Sequence, residues 1–103
     1  MSRIRVLIKD SGQKAREWDI ENDLKTLQHI VGGYIEVVTL GEHLAMIINE
    51  EGKLIGLPLN FPIHSGEDWI VGPAIFAGVD GEDFASLDDY QISLLKRHLE
   101  VSE

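Results

Sequence analysis

The sequence predicts an α+β domain: a mostly antiparallel, twisted sheet of about five strands, with one short helix and a C-terminal helix. Three observations carry that expectation. Apolar residues alternate with charged ones over residues 3–9, the signature of a half-buried strand. From residue 34 onward, short β-branched runs recur between turns that contain glycine. Helical spacing of apolar side chains next to a capping residue occurs in only two stretches, 22–31 and 86–100. The 103 residues fit a single domain, 1–103, with a radius of gyration of about 13 Å.

Each element has its own warrant. Ile4, Val6 and Ile8 define the inner face of the first strand, and Ser11-Gly12 breaks it. Ala15 to Ile20 returns as a second strand, with Arg16, Trp18 and Ile20 on one face. Asn22 is the expected N-cap of a helix whose stripe is Leu24, Leu27, Ile30 and Val31, and Gly32 supplies its left-handed stop. Tyr34–Leu40, Leu44–Asn49 and Leu54–Leu57 read as a three-stranded meander, turning at Gly41–His43 and at Glu50–Lys53, where the Asn49 side chain closes the turn. Pro58 to Pro62 reads as a connection, because proline has no amide for a central ladder. His64–Asp68 is a polar loop. Trp69–Ala77 reads as one apolar strand, bent at Gly72-Pro73, followed by the acidic turn Asp80–Asp83. Ser86 with Asp89 forms a capping box for a helix over 87–100, whose stripe is Leu87, Tyr90, Leu94 and His98, widened by Leu95 and Leu99.

Several chemistries are excluded or weak. With no cysteine there is no disulfide, no thiolate nucleophile and no cysteine-ligated zinc. None of His29, His43, His64 and His98 stands four residues from another, so no helical metal pair exists, and no metal or cofactor is expected. His64-Ser65 lacks the geometry of a catalytic pair, since neighbouring side chains diverge, and no Gly-x-Ser-x-Gly elbow occurs. The acidic stretch from Asp80 has its glycine second rather than sixth, which does not fit a calcium loop. Enzymatic work would need a carboxylate pair such as Glu67 and Asp83 brought together by the fold.

Charge narrows the partners. The formal net charge is −9, and it is unevenly placed. Residues 1–16 hold five bases against Asp10 alone, while residues 17–103 hold four bases against 17 acids. An acidic body repels phosphate backbones, so nucleic acid is an unfavourable partner and a basic protein a favourable one. No apolar run approaches the ~20 residues of a membrane span and no secretory leader pattern is present, which points to the cytoplasm and to no membrane.

The strings Val31-Gly32-Gly33-Tyr34-Ile35-Glu36-Val37-Val38, Asn49-Glu50-Glu51-Gly52-Lys53-Leu54 and Leu57-Pro58-Leu59-Asn60 carry a resemblance. With Ile70-Val71-Gly72-Pro73 and Phe84-Ala85-Ser86-Leu87, the chain resembles the domain-of-unknown-function family DUF3846 of phages, prophages and mobile elements. That resemblance implies a small accessory protein and brings no catalytic residues. The function expected is a non-enzymatic interaction module that modulates a host or phage protein, for a host protein as an inhibitor. The alternative is a binder of a small, nucleotide-like ligand. Asn60, His64, Glu67, Asp68 and Trp69, with Phe61 nearby, are the candidate contact residues. A homodimer is also expected, because two helices are few to cover both faces of a five-stranded sheet with an open edge.

Overall fold

A computed structural model describes residues 2–102, and the side chains of residues 2–100. The chain runs Arg3–Lys9 (β1), Arg16–Glu21 (β2), Leu24–Val31 (α1), Ile35–Gly41 (β3), Leu44–Asn49 (β4), Leu59–Ile63 (β5), Asp68–Val71 (β6), Ala74–Asp80 (β7), Asp83–Ala85 (β8) and Asp89–Ser102 (α2), with a single 3-10 turn at His64–Gly66. The main sheet is antiparallel throughout, in the order β2-β1-β7-β4-β3, and the short β8 pairs with β7 beyond the end of β1. β5 and β6 form a separate two-stranded hairpin. The radius of gyration is 12.7 Å.

The period-2 alternation of the strands builds two cores, one on each face of the sheet. Ile4, Val6, Ile8, Ile20, Ile47, Ile75 and Ala77 lie on the face that α1 covers with Leu27 and Val31. Leu7, Met46, Ala74 and Phe76 lie on the other, covered by Ile92, Leu95 and Leu99 of α2 and by Phe61 and Ile70 of the hairpin. The Phe61 and Phe76 rings meet with centroids 6.1 Å apart. The chain's own hairpin thus supplies the cover that two helices alone would leave missing.

Several expectations are corrected. α1 is capped by Asp23, whose carboxylate accepts from the Thr26 amide at 2.8 Å, while the Asn22 side chain donates to the Phe84 carbonyl at 3.0 Å. Gly32 does end that helix, at φ 81. Leu54–Leu57 is not a strand. The place beside β4 is taken by β7, and residues 50–56 coil through successive turns that leave Leu54 82% exposed. Pro58–Pro62 is not merely a connection, since β5 begins at Leu59. Pro62 sits opposite Trp69 in a ribbon made only of edges, where a missing amide breaks no ladder. Trp69–Ala77 is two strands in two different sheets, divided where Gly72 turns left-handed at φ 71. The helix box is Asp88 with Gln91, whose side chains exchange bonds with each other's amides at 2.7 and 3.0 Å. Ser86 instead accepts the Arg5 amide at 2.9 Å. The buried stripe of α2 is Ile92, Leu95 and Leu99, and Tyr90 points outward.

Candidate functional site

Four of the five N-terminal bases are bonded within the molecule. Arg5 reaches Glu17 of β2 at 2.6 Å and Asp89 of α2 at 2.8 Å, and Lys96 reaches Glu17 at 3.3 Å. Arg3 pairs with Asp19 and Glu21, and Arg16 with Asp10 while stacking on Trp18. Lys9, 1% exposed, donates to the Asp10 carbonyl and the Asn60 side-chain oxygen. These pairings give Arg3, Arg5 and Arg16 carboxylate partners within the chain.

The sequence candidates separate into three places. The Asn60 amide is committed to the fold. Its nitrogen donates to the carbonyls of Lys9 at 2.7 Å and Gly72 at 2.8 Å, stitching β1 and the β6–β7 break to β5. His64 and Glu67 stand exposed at the hairpin tip, where His64 and Ser65 hold left-handed backbone at φ 53 and 56. Asp68 and Trp69 alone enter a concavity.

That concavity is a groove of about 380 Å³ between β6 and the β3–β4 ribbon. Val38, Met46, Ile48, Ile63 and Ile70 give it an apolar lining, with Trp69 and Leu54 at its margin. Glu36, Glu50, Glu51 and Asp68 bring carboxylates to it, and Lys53 is its one base. Lys53 is held by Asp68 at 2.5 Å. That ammonium, with the Trp69 amide, keeps the Asp68 carboxyl below its ordinary range. Asn49 fixes the rim. Its side-chain oxygen accepts the Glu51 amide at 2.8 Å, as the sequence predicts, and its nitrogen donates to the Val31 carbonyl at 3.1 Å.

Glu36, Glu50, Glu51 and the apolar lining were missed among the sequence candidates. The signal was present in the pairing of two strands across Gly41–His43. It places Ile35 opposite Asn49, so Glu36 and Glu50 must share one end of the ribbon. Glu67 and Asp83, the conceivable acid–base pair, lie on the hairpin tip and at the start of β8, both exposed. Among the described residues no group of three or more His, Asp or Glu is placed to hold a metal, and no helix is long and apolar enough to cross a membrane.

An antiparallel sheet with a helix on each face and a hairpin closing one of them defines the architectural class. The chain belongs to the family described as domain of unknown function DUF3846, whose model matches residues 4–100. Searches of curated proteins and of solved structures found no match.

Proposed function

We propose that this DUF3846 member is a non-enzymatic interaction module, carried by a phage or other mobile element, that takes a basic segment of a host or phage protein in the cytoplasm. The single observation behind this reading is the groove beside Trp69: an apolar lining under a rim of Glu36, Glu50 and Glu51, none of them ion-paired with a lysine or arginine among the described residues. Such a site suits a lysine or arginine, whose aliphatic stem covers apolar surface while its head meets a carboxylate. A net charge of −9 steers basic partners toward it and screens out polyanions.

The test is retention of a basic protein from host lysate, compared with the triple charge reversal Glu36→Lys, Glu50→Lys, Glu51→Lys. Wild type should hold one discrete basic partner at low salt and release it at high salt, and the reversed variant should hold none. Equal retention by both chains would sink the reading. A second reading rests on the volume of the groove, about 380 Å³, which lies in the range of small-ligand sites. The acidic rim favours a cationic ligand over a nucleotide. A thermal-shift series with cationic aromatic amines tests it.

A further inference from the structure

We propose that the partner segment binds by adding a strand to the free edge of β3. This rests on the basic-partner reading above and specifies how the segment is held.

The phase of the ladder fixes what that edge offers. The Glu50 amide donates to the Tyr34 carbonyl at 2.9 Å, so residues 34 and 50 form a hydrogen-bonded pair. Alternation makes Glu36 with Ile48 and Val38 with Met46 the next such pairs. The amides and carbonyls of Ile35, Val37 and Thr39 therefore point away from β4, and β3 is the last strand on its side. The same alternation agrees with the Val79 amide bonding the His43 carbonyl and with the Leu87 amide bonding the Arg5 carbonyl, on other strands of the sheet.

The two outer strands are treated differently. β2 reads Arg-Glu-Trp-Asp-Ile-Glu, and its outward Asp19 carbonyl is capped by the Arg3 guanidinium at 2.6 Å. That is a protected edge. β3 reads Ile-Glu-Val-Val-Thr-Leu-Gly, with one charge, no lysine and no proline. Among the described residues no side chain bonds its outward amides. Val37 is 47% exposed and Leu40 46%.

A concavity lies on each side of this edge. The Trp69 groove receives Glu36 and Val38. On the α1 face, a second concavity of about 440 Å³ is lined by Val37, Thr39, Ala45 and Phe84, with Glu42, Glu82 and Asp83 at its rim. Side chains of an added strand alternate between the faces, so successive ones enter the two concavities. Both have apolar floors and carboxylate rims, which selects an extended segment rich in lysine or arginine and β-branched residues. A second copy would set seven acids and one lysine against the same set, so charge complementarity favours the basic segment over a homodimer.

The probe is an alternating lysine–valine octapeptide with blocked ends, and the glutamate–valine octapeptide is the control. Amide hydrogen exchange read by NMR should show Ile35, Val37 and Thr39 slowing on addition of the lysine peptide and not of the glutamate peptide. Val37→Pro removes an outward amide that β4 does not use, and should weaken peptide binding about tenfold, the loss of roughly one well-made hydrogen bond. Exchange in the wild-type chain decides the matter even if that variant folds poorly. If the lysine peptide binds while the three amides keep their rates, strand addition is wrong and the basic-partner reading stands. If neither the peptide nor a lysine homopolymer binds, the basic-partner reading falls and takes strand addition with it. If the three amides slow with protein concentration alone, the occupant is a second copy and the proposal is overturned.

Discussion

Asn60 shows how a single side chain can look functional in a sequence and prove architectural. A polar residue between Leu59 and Phe61, just before Pro62, has no evident local duty. Its duty is long-range. It holds two carbonyls and accepts from the ammonium of Lys9, the buried cation of the fold. Removing a partly buried amide that serves three groups leaves each of them poorer by a hydrogen bond. Asn60→Ala should therefore lower stability by about 3 kcal/mol or more, at roughly 1–3 kcal/mol for each of the three groups left short. Urea unfolding measures this, and a change under ~0.5 kcal/mol, the range of ordinary surface substitutions, would refute it. Asn49 could be read further from sequence because one of its bonds is local: the turn closed onto Glu51 lies two residues away, whereas the bond to Val31 crosses the fold.

At the scale of elements, local signals were legible and pairing partners were not. Arg3–Lys9, Leu44–Asn49 and the glycine stop of α1 follow from alternation and backbone conformation, which neighbouring residues determine. The apolar run from Trp69 reads the same whether it is one strand or two, because periodicity carries no record of which sheet a residue joins. Gly72 takes the left-handed turn that divides it, and only the space already filled by Leu57 shows how closely the chain folds back there. Caps are a similar case. Ser86 and Asp88 both suit the start of α2, and the choice between them depends on β1, whose Arg5 amide takes the serine. Asp88→Ala should thus cost about 1 kcal/mol through the lost cap and reduce helicity near residue 91, as N-cap removals do. Ser86→Ala should leave helicity unchanged and instead speed exchange of the Arg5 amide. Circular dichroism with amide exchange separates the two, and loss of helicity in the serine variant would return the cap to Ser86.

For the whole molecule, the sheet is held from one side by charge as well as by apolar contact. Arg5 of β1, Glu17 of β2 and both Asp89 and Lys96 of α2 form one network across three elements. No periodicity in the sequence foretells it, since directly bonded members lie up to 84 residues apart. Hydrogen bonds from Arg5 and then Lys96 hold the Glu17 carboxyl below its ordinary value of 4.5. The Thr26 amide does the same for Asp23, and Lys53 for Asp68. A carboxyl depressed in the folded state is protonated first in the unfolded chain, so its contribution is fully present above its ordinary value. It is lost as pH falls through the folded one. Acid also relieves the self-repulsion of a chain at −9, which acts in the opposite direction and blurs the raw curve. Comparison with Glu17→Gln removes that term, since both chains share nearly all of it. Thermal midpoints of wild type and variant should differ most at neutral pH. The gap should begin to close below about 4.5, the ordinary value for Glu17, and disappear once the folded carboxyl is protonated. A gap that stays constant from pH 7 into acid would mean that the network does not tie β2 and α2 to the sheet.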